Sequence, residues 1–359
     1  MKGLFVSDCE GPISKNDNAY ELSVKFIPNG DRFFCNVSRY DDVLADVFNK
    51  PGYMAGSTLK LILPFLKAYD VTDHQMEKFS SDNIILIEDT QNALKHIESI
   101  AERYIVSTSY EHYIKALCNT INFPYKNTYC TKVSLDSVTM MSQEKNILCE
   151  IAQEISQMPL IAIPSNAKSF ADFSLEDQAL IKRFDEIFRE ILQMSAVSKI
   201  FSNVVVVGGE QKAESIRDIV KCLKVSFENV MYVGDSITDV EALRLVKENG
   251  GLSVSFNGNS YAVKNADAAV ISESNLVTAV IADVFYRLGR EETLKVMRSW
   301  GEASLGSGGV DLGLVKQVFE FKRGRPKVQI VTSENMSLIV AESSEFRKSV
   351  RGVAIGRLG

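Results

Sequence analysis

Five short apolar runs, each ending abruptly in small or acidic residues, limit most strongly what this chain can fold into. They are Leu4-Phe5-Val6 before Ser7-Asp8, Tyr104-Ile105-Val106 before Ser107-Thr108-Ser109, and Val204 to Val207 before Gly208-Gly209. Val230 to Val233 before Gly234-Asp235 is the fourth, and Leu252 to Phe256 before Asn257-Gly258 the fifth. Runs of three to five apolar residues without alternation read as strands buried on both faces, which means a parallel sheet. Helical patterns lie between them, at Thr90 to Arg103, Ala213 to Lys224 and Asp239 to Lys247. Strand and helix in alternation define an α/β doubly wound domain. In such sheets ligands bind beyond the carboxyl ends of the strands. Here those ends carry Asp8, Glu10, Ser107, Asp235 and Asp239, with Lys212 nearby.

Two long stretches interrupt the alternation. Residues 14–82 show helical patterns around Tyr40 to Phe48 and Leu59 to Tyr69; residues 133–203 are mostly helical in period, as at Leu175 to Met194. Structureless loops beyond about 15 residues are uncommon, so both read as inserted caps over the strand ends. The expected core is then 1–13, 83–132 and 204–289. The remainder, 290–359, differs in charge, at +4 against −10 for residues 1–289. It holds a Gly/Ser stretch at Ser304 to Gly309, a basic run from Phe321 to Lys327, and a possible hairpin of Val328 to Ile330 with Ser337 to Val340. A solvated face explains the basic run; docking of a protein partner through 290–359 is the sharper reading.

Composition excludes several classes. Apolar residues at 45% and charged residues at 24% are ordinary for a globular protein with a sizeable core. A net charge of −6 offers little to nucleic acid or an anionic membrane. No apolar run approaches the roughly 20 residues of a spanning helix, and the amino-terminal residues do not have the pattern of a signal peptide. The six cysteines form no C-x-x-C pair and no metal-ligand spacing with His74, His96 and His112. Reduced thiols in a cytoplasm are expected.

The chemistry concentrates at the strand ends. Asp8-Cys9-Glu10 places two acids one residue apart, so one can attack as a nucleophile while the other transfers a proton, or both can approach a metal. Asp235 and Asp239 lie about one helical turn apart and can point at one site. An all-carboxylate set suits Mg²⁺ rather than zinc or copper. Each acidic pair also reads as a helix cap or a solvated turn. Ser107 and Thr108 offer hydroxyls and turned backbone N–H groups to phosphate oxygens. Lys212 offers a point charge to the same anion. Arg32, Arg39 and Lys60 of the first insertion can also reach an anionic substrate.

The order of these elements along the chain resembles the haloacid dehalogenase superfamily of phosphohydrolases. Its four motifs read Asp-x-Asp, Ser/Thr, Lys and Gly-Asp-x-x-x-Asp, and Asn257 to Asp267 is similar to the segment that follows the fourth. The resemblance implies a Rossmann-like core with inserted caps and a Mg²⁺ cofactor. It implies that Asp8 forms an aspartyl-phosphate and binds the metal, and that Glu10 is the general acid/base with its backbone carbonyl on the metal. Ser107, with Thr108 and the Cys9 backbone N–H, would hold the phosphoryl oxygens, and Lys212 would neutralise Asp8 and the phosphate. Asp235 would bind the metal, and Asp239 would orient a metal-bound water or Lys212.

Position 10 departs from the pattern: Glu is longer than Asp by about 1.5 Å. Asp-Cys-Glu-Gly-Pro is similar to the start of some phosphoserine phosphatase relatives, as is the segment Asn92 to Leu117. The expected activity is therefore hydrolysis of a small phosphorylated metabolite, with phosphotransfer to an acceptor alcohol as a variant. A second reading, a non-catalytic regulatory or assembly subunit that keeps the fold, draws on Glu10, the large insertions and the basic carboxyl-terminal region.

Overall fold

The computed structural model describes residues 3–50, 53–164, 166–307, 310–320 and 325–356. Seven strands form one sheet in the order β3-β2-β1-β4-β5-β6-β7. These are β1 (Gly3–Ser7), β2 (Ala101–Tyr110), β3 (Thr128–Thr131), β4 (Val230–Gly234), β5 (Leu252–Phe256), β6 (Ala268–Ile271) and β7 (Lys327–Ile330). All neighbours are parallel except β6 and β7. β1 lies between β2 and β4, where the winding reverses, so their carboxyl ends open into a single crevice. Helices cover both faces, as a parallel sheet requires. Phe5, Met231 and Val254 share one core with the helices Thr90–Ile100, Glu111–Ile121 and Leu276–Arg298. Leu4, Val6 and Tyr232 face the opposite core, with Glu210–Leu223 and Val240–Glu248.

The two insertions build one helical body rather than two separate lids. Asn18–Phe26, Gly30–Asp42 and Thr58–Ala68 share a core with Ser142–Gln157, Leu175–Ile191 and Ser195–Asn203. The Tyr40 ring stacks on Phe184 at 4.9 Å and on Phe188 at 5.5 Å, and its hydroxyl donates to Asp185 at 2.6 Å. The Asn36 amide donates to the carbonyls of Ile155 and Met158, closing the open end of a helix from the other insertion.

Three sequence expectations are corrected. Val204 to Val207 is extended but pairs with no strand; Val207 N–H bonds the Thr131 hydroxyl at 3.1 Å, and Val205 lies 64% exposed. Its β-branched side chains suit a strand, yet the segment is a connector from the helical body to the helix of Lys212. The expected hairpin does not form: β7 pairs with β6, and Ser337 to Val340 belongs to the helix Met336–Arg351. Ile339, on that helix, is fully buried against the sheet side, and helical spacing alone brings it there. The helix expected to run to Arg103 stops at Ile100, where β2 begins.

Residues 308–309 of the Gly/Ser stretch and 321–324 of the basic run lie outside the described residues. Described parts of the carboxyl-terminal region belong to the fold: β7 extends the sheet, and Arg290 pairs with Asp267 at 2.7 Å. No helix among the described residues is long and apolar enough to cross a membrane.

Candidate active site

The sheet geometry converts three distant sequence segments into neighbours. Asp8 leaves β1 and its backbone N–H bonds the Val233 carbonyl of β4, locking the two strand ends together. Lys212, in the first turn of Glu210–Leu223, is fully buried and places Nζ 2.7 Å from Asp8 Oδ2 and 2.7 Å from Asp239 Oδ1. Burial acts to lower the Lys212 pKa, but the two carboxylates outweigh it and the net direction is upward. Burial pushes Asp8 up to about 6, with Lys212 acting against it and Asp239 adding to it.

Asp239 is held on every side. Its Oδ1 accepts from Lys212 and from the Tyr232 hydroxyl at 2.7 Å; its Oδ2 accepts from the backbone N–H groups of Asp235 and Ser236. With those bonds it shapes the turn after β4 and fixes Lys212. Sequence reading placed Tyr232 in an apolar run, and only the fold reveals its hydroxyl as a support of the site.

Asp8, Asp235 and Asp239 bring one carboxylate oxygen each within 4.8 Å of one another. Glu10 is not in this cluster: its carboxylate accepts from Asn18 N–H at 2.7 Å, at the start of the next helix. Burial pushes the Glu10 carboxyl well above the usual range, with the nearby Asp17 adding to it. The Cys9 N–H donates to Asp8 Oδ1 at 2.6 Å, while its thiol is buried near Ser14. Ser107 is buried and its hydroxyl donates to Ser109 at 3.2 Å; Thr108 Oγ1 is buried with no partner. Gly11 lets the turn after β1 lie against Asp235, because its φ is +108° and a Cβ there would lie 2.1 Å from Asp235 Oδ2.

Asp8, Glu10, Ser107, Thr108 and Asp235 line a cavity of about 110 Å³, bordered on the other side by Phe34, Ser38, Asp41 and Thr58 of the helical body. Two guanidiniums, Arg347 and Arg351, also line it, from the helix Met336–Arg351. Both contact Asp235 Oδ2, Arg351 at 3.1 Å and Arg347 closer still. Sequence reading missed them. A signal was available: Ser343, Arg347 and Arg351 recur at four-residue spacing on one helical face. The expected cations are elsewhere: Arg39 pairs with Asp42, Lys60 lies over the Phe201 ring, and Arg32 borders a separate cavity.

Asp41, also missed, is 2% exposed; its Oδ2 accepts from Thr58 N–H and Oγ1, and its Oδ1 has no partner. Burial pushes its pKa up to about 8. The folded chain therefore binds more protons than the unfolded chain between about pH 4 and pH 8, and stability falls as pH rises through that window. Asp41→Asn removes this slope. Its gain in melting temperature over the native chain is expected to be several degrees larger at pH 8 than at pH 5, by thermal denaturation; a pH-independent difference contradicts the buried neutral acid.

Acids, a hydroxyl and a lysine thus converge on the strand ends of an α/β sheet, and sequence comparison gives the family. A family model described as haloacid dehalogenase-like hydrolase matches residues 60–283, and the chain belongs to that family. The structure of gene product AF1437 from Archaeoglobus fulgidus is 26% identical, with a TM-score of 0.81, covering 100% of this chain and 99% of that one. A substrate-bound phosphoserine phosphatase complex is 12% identical, with a TM-score of 0.45, covering 76% of this chain and 95% of that one. No curated protein sequence matches.

Proposed function

We propose that this hydrolase is a Mg²⁺-dependent phosphatase of small phosphorylated metabolites that works through an aspartyl-phosphate on Asp8. The observation that carries the reading is the buried Lys212 ammonium, 2.7 Å from both Asp8 and Asp239. A carboxylate held by a dry positive charge at a strand end is positioned to meet a phosphoryl group without being quenched by water.

The donor set fits a divalent cation. It is all oxygen, as Mg²⁺ prefers, and the missing Cβ of Gly11 leaves Asp235 its place. Asp8 and Asp235 would hold the ion, with the Glu10 backbone carbonyl as a third ligand, while Asp239 serves Lys212. Such an ion supplies charge neutralisation for the phosphoryl oxygens.

In this reading Asp8 attacks phosphorus, and the bond to the leaving oxygen breaks as Glu10 delivers its proton. Lys212 offsets the charge that gathers on Asp8 and the phosphoryl group. The unpartnered Thr108 hydroxyl, with Ser107, donates to phosphoryl oxygens. For Cys9 N–H to join them it must leave Asp8 Oδ1, which attack on phosphorus would bring about by depleting that oxygen's charge. Glu10, now ionised, then takes a proton from the water that cleaves the aspartyl-phosphate. The helical body acts as a cap that keeps bulk water out during transfer. A cavity of about 110 Å³ suits a small substrate, and phosphoserine-like compounds are the first to try.

The test is phosphate release from phosphoserine, sugar phosphates, nucleotides and an aryl phosphate, with and without Mg²⁺. Turnover that requires the metal is expected for at least one of them. Silence across the panel, with Mg²⁺ shown to be bound, turns the weight to a non-catalytic assembly subunit.

A further inference from the structure

We propose that Arg347 and Arg351 occupy the cation-binding edge of Asp235 until a divalent ion displaces them, so that helix and metal compete for one carboxylate. The proposal rests on the reading above that Asp8 and Asp235 hold the ion.

The arginines are built into their position. Ile339, Ser343 and Arg347 are all at most 3% exposed, on one face of the helix Met336–Arg351. The Ser343 hydroxyl donates to the Gly258 carbonyl at 2.7 Å. The same loop reaches the site, since Asn259 N–H bonds the Asp235 carbonyl at 2.9 Å. The helix is thus docked on the segment that supports Asp235, and one further turn brings Arg351 alongside.

Each guanidinium also has an anchor that is not a carboxylate. Arg347 Nη1 reaches the Asp235 main-chain carbonyl at 3.2 Å, and Arg351 donates to the carbonyls of Lys15 and Asn16. Displacement from Asp235 Oδ2 therefore does not require the helix to leave. A small shift of two side chains suffices, and the Arg347 Nε, buried without a partner, marks that side chain as incompletely satisfied where it lies.

Competition follows from charge and space. Asp235 is 1% exposed, and its Oδ2 already accepts from both guanidiniums. Mg²⁺ demands a carboxylate oxygen at about 2.1 Å, and bringing it to that atom would crowd three cations, two guanidiniums and a doubly charged ion, around one oxygen. Without any cation the cavity wall would hold six carboxyl side chains, including Asp17 and Asp42, and a buried unpaired Asp235 is costly. The arginines supply that neutralisation in the metal-free chain, and the metal must outbid them.

The experiment is Mg²⁺ titration calorimetry on the full chain, comparing the native protein with Arg347→Gln, Arg351→Gln and Asp235→Asn, each checked for fold by circular dichroism. Tenfold or tighter Mg²⁺ binding is expected in Arg347→Gln, a smaller gain in Arg351→Gln, and loss in Asp235→Asn. Equal or weaker binding in both arginine variants, with loss in Asp235→Asn, overturns the competition and leaves the metal site standing. Absence of binding in every protein overturns both. Should an arginine variant fail to fold, the native chain labelled with ¹⁵N-arginine carries the test. Hindered guanidinium resonances are expected to average on Mg²⁺ saturation, and unchanged resonances overturn the proposal.

Discussion

Asp8→Asn is expected to remove phosphate release while leaving the chain folded, with a loss on the order of 10⁴-fold or more, as for other removed nucleophiles. The amide keeps an acceptor for the Cys9 N–H, so the turn after β1 survives. It cannot attack phosphorus, and it no longer offers a charge to Lys212. Lys212 stays paired with Asp239 at 2.7 Å, which is why a collapse of the fold is not expected. Phosphate release measured on the best substrate of the panel decides the matter. Full activity in Asp8→Asn removes Asp8 as the nucleophile, and a loss that merely tracks unfolding in circular dichroism leaves it unsupported.

Lys212→Met is expected to be the most damaging substitution at the site. It removes one ammonium from between two carboxylates that are 7% and 0% exposed. Removing one partner from a buried ion pair costs about 3–5 kcal/mol, because the remaining charge cannot be solvated. Asp8 is then left with burial and the Asp239 charge raising its pKa and no ammonium to oppose them. The sign with pH follows: with the folded Asp8 pKa raised above the unfolded one, stability declines as pH rises. The melting temperature should therefore lie well below the native value at pH 8, and the gap should narrow toward pH 5. A gap that is constant with pH contradicts the charge argument. Activity should be lost at both pH values, since Asp8 has no counter-charge during transfer.

Much of the site was legible because strand ends in a doubly wound sheet converge by topology. Asp8, Ser107 and Asp235 each follow an apolar run, and the reading that such runs lie side by side brings them together without further information. β3 and β6 were not legible. Thr-Tyr-Cys-Thr is half polar, and Ala-Ala-Val-Ile is too short and too small in side chain to stand out, although all four of its residues are buried. The shared core of the two insertions was hidden for another reason: Tyr40 and Phe184 are complementary only in space. The same holds for Arg347, which lies 112 residues from Asp235. Its segment reads only as slightly basic, and a charge balance does not say which acid a charge will meet.

The Arg351 bond to the Lys15 carbonyl joins residues 336 positions apart. During synthesis the segment after β1 emerges well before the helix that clasps it. For most of that time the acids of the site have no guanidinium beside them. Lys212 and strands β1 to β6 precede that helix in the chain, so the acids of the pocket are made before the guanidiniums that face them. Loop closure over such a distance is slow to find. A chain cut before residue 336 would therefore carry the acids of the site without the two guanidiniums that neutralise them.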